Sequence, residues 1–140
     1  MAKEKQYDLF ISHTWQFSEN YYRLENLLRK TDLIRWRNYS VPVDDPLVDP
    51  DSSVGKAYLT ELLTRQVKPA NCVLIIGDHH TARSEWVVKE IEIARLYHKP
   101  ILGVYPRGKK TIPSIVKNAA HELAGWNTAS IVNAIKRIAI

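Results

Sequence analysis

The sequence predicts a doubly wound α/β fold, in which a five-stranded parallel sheet lies between two layers of helices. Segments with strand character alternate with segments of helical spacing along the chain. The runs 71–77 and 101–105 are mostly apolar without alternation, as expected of parallel strands buried on both faces. Five strands in 140 residues favour the order 2-1-3-4-5 of a flavodoxin-like three-layer sandwich.

The first half of the chain supplies two strands and two helices. The β-prone run 7–12 predicts the first strand, and residues 19–30 have helical spacing. The less apolar run 36–41 predicts a second strand at an edge. Three prolines between 42 and 53 exclude regular structure, and a serine at the end of that loop can cap a helix over 54–67. The inward positions predicted for these two helices are Tyr22, Leu24, Leu27, Leu28, Tyr58, Leu59, Leu62 and Leu63.

The second half repeats the alternation around the most apolar strand. That strand, 71–77, is followed by a helix over 84–97 and a buried strand over 101–105. A short helix, a weak strand and a final helix complete the chain, predicted at 113–118, at 122–126 and from a Thr128 cap onward, with Ile131, Ile135 and Ile138 inward. Without a repeat or a linker, residues 1–140 are predicted to form a single domain.

Ligands of such sheets bind beyond the carboxyl ends of the strands. The loops after the first four strands are therefore expected to converge at one edge, namely 12–17, 42–53, 78–83 and 105–111. Trp15 follows a central strand, where its flat ring is suited either to pack the first helix or to stack on a base or a nicotinamide.

Composition narrows the class of partner. The net charge of +5 admits anionic ligands, but the basic residues are scattered and the densest run, 107–110, fits a solvated turn, so a nucleic-acid partner is not expected. The single cysteine, Cys72, excludes an internal disulfide and a multi-cysteine metal site. No apolar run approaches the ~20 residues that span a bilayer, and the start lacks a signal peptide, so we expect a cytoplasmic protein without membrane contact.

The common catalytic and nucleotide-binding motifs are missing. The five glycines are isolated, so neither a dinucleotide fingerprint nor a Walker loop is present. Asp78, His79 and His80 lack the usual spacing of zinc ligands, so no metal site is predicted. A receiver-type phosphorylation site would need carboxylates after the first strand, where Ser12 and His13 stand instead, and no G-x-S-x-G elbow positions a serine nucleophile.

Glu90 is the carboxylate that its own helix does not explain. Glu85 and Glu92 have basic residues one turn further on, whereas the neighbours of Glu90 at i±3 and i±4 are apolar or small. A carboxylate facing an apolar seam is costly unless it is satisfied or used. The sequence leaves two interpretations open: a structural contact with a backbone segment or a distant arginine, or a functional carboxylate.

Two segments together resemble the TIR domain family. Residues 7–13, YDLFISH, are similar to the opening TIR strand, and Ser84-x-Trp86-x-x-x-Glu90-Ile91 is similar to the TIR segment that carries a glutamate. Between these segments, residues 72–77 are similar to the central TIR strand, and after them residues 99–104 are similar to the fourth strand. The resemblance covers about residues 7–105 and is nearest to the short TIR-like proteins of Thoeris anti-phage systems.

The resemblance implies an enzyme that cleaves the nicotinamide–ribose bond of NAD⁺, a substrate rather than a cofactor. Its product would be ADP-ribose or a cyclic or conjugated form that signals to a separate effector, and the chain would act as a homo-oligomer. The family's catalytic glutamate corresponds to Glu90. We expect the substrate cleft to be lined by Ser12, His13, Trp15, Asp45 and Ser84.

Two alternatives stay open at this stage. The chain could be a non-catalytic TIR-like module that assembles through homotypic contacts, or a flavodoxin-like sensor that binds a nucleotide. Release of nicotinamide from NAD⁺ separates the first alternative from the enzyme.

Overall fold

The computed structural model describes residues 5–12, 19–40, 53–78 and 85–140. Strands and helices alternate along the chain, as predicted. The strands are β1 (Gln6–Ile11), β2 (Arg35–Asn38), β3 (Cys72–Ile76), β4 (Ile101–Val104) and β5 (Glu122–Ala124). The helices are α1 (Glu19–Lys30), α2 (Ser53–Val67), α3 (Glu85–Leu96), α4 (Ser114–Ala119) and α5 (Thr128–Ile138).

The five strands form one parallel sheet in the order β2-β1-β3-β4-β5. This confirms the predicted α/β class and strand order. β3 is buried along its whole length, whereas β2 is largely exposed, as expected for a central and an edge strand. The carboxyl ends of β1 and β3 therefore lie side by side in the middle of the sheet.

The sheet separates two apolar layers, because successive side chains of a strand point to opposite faces. One layer contains Leu9, Ile11, Leu74 and Ile76 with the buried residues of α1 and α5. The other contains Phe10, Val73 and Ile75 with the buried residues of α2, α3 and α4. Ser12, one position beyond β1, has the same strand parity as Phe10 and so belongs to the layer of α3.

Among the inward positions whose side chains the structure describes, two were predicted wrongly, and Leu59 lies outside these described side chains. Tyr22 and Tyr58 are each 45% exposed, whereas Tyr21 is buried with Leu24 and Leu28. Tyr21 shares its helix stripe with these leucines at i+3 and i+7, and Tyr22 is turned about 100° away. The prediction chose the wrong one of two adjacent tyrosines. The polar groups on β2 that contact Tyr21 are remote in sequence and gave no indication of the right one.

The last helix begins one residue away from the predicted cap. Asn127, with an extended backbone, accepts a hydrogen bond on its side chain from the Ser130 amide, so it caps α5 in place of Thr128. Within the described ranges, no helix is both long enough and apolar enough to cross a bilayer.

Gly77, directly after β3, is required by close packing. A Cβ at this position would overlap Cγ1 of Ile112 and lie 2.6 Å from its Cδ1. The amide of Gly77 also donates to the Val104 carbonyl at 2.9 Å, so its backbone is held in place. The segment before α4 is thereby packed against the end of β3.

We expect Gly77→Ala to lower the free energy of unfolding by about 1–3 kcal/mol, because the β-branched Ile112 cannot move freely out of contact. Gly125→Ala is the matched control, since its nearest neighbour is the Asn127 amide nitrogen at 3.8 Å. Urea denaturation measures both variants. Adding Ile112→Ala to Gly77→Ala should remove the clash in a double-mutant cycle, and equal stability of the two single variants would contradict this account.

Candidate functional site

Glu90 is buried in the middle of α3, with 2% of its surface exposed. The same helix buries Trp86, Val87, Ile91 and Ala94 against the sheet. The apolar neighbours noted in the sequence therefore form a continuous surface around the carboxyl group. Ser12 and Glu90 are the buried polar or charged residues among those that the structure describes.

Ser12 is the hydrogen-bond partner of this carboxyl group. It lies directly beyond β1, where its amide donates to the Leu74 carbonyl at 2.8 Å and so extends the β1–β3 pairing. Its hydroxyl hydrogen-bonds to Glu90. The carboxyl oxygen Oε2 is buried and has no hydrogen-bond partner within the described part of the chain. An unsatisfied buried oxygen in a folded protein calls for an explanation, and a ligand is one.

Burial raises the pKa of Glu90 from its ordinary value of 4.5 to about 8, and the Ser12 hydroxyl opposes part of this increase. At pH 7 most of the carboxyl group is therefore protonated in the unliganded protein. A cationic ligand placed beside it would favour the carboxylate and lower the pKa. The site can thus supply a negative charge when a positive one arrives.

A second polar pair lies across the sheet from Glu90. The Asn20 side-chain amide, at the start of α1, donates to the Asp78 carboxylate at 2.8 Å. Asp78 directly follows Gly77, so the pair joins α1 to the carboxyl end of β3. In the sequence, Asp78 stood out only as a possible metal ligand, and Asn20 was not selected. The position of Asp78 directly after the central strand was the one sequence signal available for this pair.

A third polar group holds the end of β1. The Ser40 hydroxyl accepts a hydrogen bond from the Ile11 amide at 2.9 Å, immediately before Ser12. The Asn38 amide donates to the Tyr21 hydroxyl at 2.9 Å and to Glu25 at 2.6 Å. Burial is the main cause that raises the pKa of Tyr21. These contacts fix the backbone that carries Ser12.

The family of the chain is shown by its sequence. Residues 10–111 match the family model described as the TIR-like domain of the Thoeris protein ThsB. The chain belongs to this family. The resemblance seen at residues 7–105 is thereby confirmed, and Ser12, Asn20, Asp78 and Glu90 all lie within the matched part of this ThsB-family domain. No curated protein matches the chain.

Solved structures with the same fold include three distant ones. A 2-deoxyribosyltransferase from Bacillus psychrosaccharolyticus is 17% identical, with a TM-score of 0.62 and 90% of each chain covered. The CMP N-glycosidase BcmB of Clostridium botulinum is 14% identical, with a TM-score of 0.53 and coverage of 92% of this chain and 98% of that one. A conserved protein from Enterococcus faecalis is 13% identical, with a TM-score of 0.59 and coverage of 95% and 99%.

The structure brings together two of the six predicted site residues of this ThsB-family domain, Glu90 and Ser12. The other four, His13, Trp15, Asp45 and Ser84, lie outside the described residues, so their place in the cleft stays a prediction. Among the described residues, no three side chains of His, Cys, Asp or Glu are grouped so as to hold a metal ion.

Removal of the Ser12 hydroxyl should raise the pKa of Glu90 further, because that hydrogen bond favours the ionised form. A carbon-13 NMR titration of the Glu90 carboxyl group in Ser12→Ala and in the unmodified domain measures this directly. Ser114→Ala, at an exposed serine on α4, is the control. An unchanged or lower pKa in Ser12→Ala would rule out the contact as a determinant of Glu90 ionisation.

Proposed function

We propose that this domain cleaves the bond between nicotinamide and ribose in NAD⁺ as part of a Thoeris-type defence response, with Glu90 as the catalytic carboxylate. The observation that carries the proposal is the Glu90 side chain, which is 2% exposed, hydrogen-bonds to Ser12 and has an oxygen, Oε2, without a partner among the described residues. Both residues lie at the carboxyl end of the sheet, where ligands of this fold class bind.

The charge changes of the reaction suit such a carboxyl group. When the C1″–N bond breaks, its electron pair passes to the pyridinium nitrogen, and nicotinamide leaves as a neutral base. Positive charge moves to the ribose, which becomes oxocarbenium-like, and a nearby carboxylate stabilises it. A nucleophile then bonds to C1″; it is water, a hydroxyl group or a ring nitrogen. If the nucleophile carries a proton, this proton passes to solvent.

The buried setting increases this stabilisation. Charges interact more strongly where water is excluded, and the Oε2 atom of Glu90 is buried. The pyridinium charge of bound NAD⁺ would favour the ionised form of a group that is mostly protonated in the free protein. Nicotinamide needs no proton to leave, so one carboxyl group is sufficient for the first step.

Structures with the same fold support the class of reaction. A 2-deoxyribosyltransferase and a CMP N-glycosidase, by their names, act on the bond between a sugar and a base. The bond between nicotinamide and ribose is of the same N-glycosidic type. Family membership favours NAD⁺ as the substrate and a signalling product that acts on a separate effector. His13, Trp15, Asp45 and Ser84 are the further residues proposed to line the cleft.

Proton NMR of the purified chain with NAD⁺ tests the proposal. We expect free nicotinamide to accumulate together with ADP-ribose or a cyclic or conjugated isomer, identified by mass spectrometry. The experiment is run over a range of protein concentrations, because we propose that the chain acts as a homo-oligomer. Absence of nicotinamide at every concentration, with assembly visible by light scattering, would favour the non-catalytic interaction module.

A further inference from the structure

The Asn20–Asp78 pair is a polar feature at the carboxyl edge that the proposed cleavage does not use. It joins two elements 58 residues apart by a hydrogen bond of 2.8 Å. Both side chains are half-buried, so they are partly accessible to a ligand. The side-chain carbonyl oxygen of Asn20 and the carboxylate of Asp78 are hydrogen-bond acceptors held next to each other.

The register of the sheet gives the position of this pair relative to the reaction site. Ser12 extends the pairing of β1 with β3 and stands opposite Ile75, because Ile11 is paired with Leu74. Asp78 comes three residues after Ile75. At ~3.3 Å per residue, it therefore lies at most about 10 Å beyond the level of Ser12. By alternation, Asp78 leans toward the layer of α1, whereas Ser12 faces the layer of α3.

Two adjacent acceptors are complementary to two adjacent hydroxyl donors. A ribose carries such donors as its vicinal 2′,3′-diol, and a carboxylate that accepts the 2′-hydroxyl favours an unmodified ribose over a 2′-phosphate in dinucleotide sites. A carboxylate has about four acceptor positions, so Asp78 can bind a hydroxyl while it retains the Asn20 amide and its other contacts.

We propose that the Asn20–Asp78 pair binds the 2′,3′-diol of the adenosine ribose and so makes this domain prefer nucleotides without a 2′-phosphate. The identity of the nucleotide rests on the proposed function. With the nicotinamide ribose at Glu90, the pyrophosphate separates that ribose from the adenosine ribose, which matches a diol site displaced along the edge from Ser12. The charge of Asp78 repels a 2′-phosphate, although the chain as a whole has a net charge of +5 and attracts anions.

Titration calorimetry with ADP-ribose and with its 2′-phosphate tests the preference without any turnover. We expect the unmodified domain to bind ADP-ribose at least about tenfold more tightly than the 2′-phosphate, since one charge-assisted hydrogen bond is replaced by repulsion. Asp78→Asn keeps an acceptor for Asn20 but loses the charge, and it should reduce the preference to about twofold or less. Asp32→Asn makes the same chemical change at an exposed position after α1 and should leave the preference intact.

A purely structural pair would give a different pattern. Asp78→Asn would then change the unfolding free energy while the ratio of the two affinities stayed constant. The inference is overturned by a constant affinity ratio in Asp78→Asn. It is also overturned if the unmodified domain binds both nucleotides equally or binds neither.

The nicotinamide assay separates this inference from the proposed function. If kcat/KM for nicotinamide release is equal for NAD⁺ and for NADP⁺, the cleavage proposal survives and the diol site is wrong. If the domain discriminates between the two ADP-riboses but releases nothing, the diol site survives and the cleavage proposal is wrong.

Discussion

Glu90→Gln should lower the rate of nicotinamide release by at least about a hundredfold, because the amide retains the shape of the side chain but cannot supply a negative charge. Loss of a single group that stabilises charge in a transition state typically lowers kcat by 10²–10³. The rate is measured by NMR at saturating NAD⁺. Binding of ADP-ribose, measured separately, should change much less, since the product carries no positive charge near C1″.

The control for this substitution is Glu92→Gln, two residues further along α3. Glu92 is exposed and lies 3.9 Å from Lys89, so its charge is solvated and remote from the buried layer. We expect Glu92→Gln to release nicotinamide at the unmodified rate. A rate that is the same in Glu90→Gln would exclude Glu90 as the catalytic group.

The pH dependence of the reaction should also reflect Glu90. The value of kcat/KM for the unmodified domain should rise with pH up to about 8, since the ionisation of the free protein governs this constant.

The second large effect is on stability. The pKa of Glu90 is raised to about 8 in the fold, compared with an ordinary value of 4.5 that applies to the unfolded chain. Between these values the folded protein binds a proton that the unfolded chain has released. The free energy of unfolding should therefore fall by about 1.4 kcal/mol per pH unit from this group as the pH rises through the window, a total of a few kcal/mol.

Denaturation at several pH values between 4.5 and 8 measures this effect. Glu90→Gln should flatten the decline, and the difference in slope between the two proteins isolates Glu90 from all other titrating groups. Glu92→Gln should leave the slope unchanged. Parallel slopes for Glu90→Gln and the unmodified domain would mean that the carboxyl group titrates alike in the folded and unfolded states.

Local patterns were sufficient to predict the sheet and to single out Glu90 in its helix. Uninterrupted apolar runs identify β3 and β4 as central strands, and the short polar run of β2 identifies an edge. Glu90 could be selected because its helical neighbours are apolar. The choice of Tyr22 over Tyr21 was wrong, although the helical spacing of Tyr21 with Leu24 and Leu28 favours Tyr21. The contact of the Tyr21 hydroxyl with Asn38 on β2 is the part that no local pattern shows.

Local sequence patterns could not predict which residues pair with each other in the candidate site. Ser12 and Glu90 lie 78 positions apart, and Asn20 and Asp78 lie 58 apart. A period of 2.0 or 3.6 predicts which face a residue occupies, but the depth at which two elements meet depends on packing. The packing of Ile112 over Gly77 is a similar case, because neither residue carries a sequence signal for the other.

The separation of the core into two layers by the sheet has a consequence for engineering. The layer that contains α1 and α5 does not share its buried residues with the layer that contains Glu90. Substitutions in separate layers without common neighbours contribute additively to stability. Improved packing between α1 and α5 can therefore offset the instability caused by a buried carboxyl group, while the surroundings of that group keep their native arrangement.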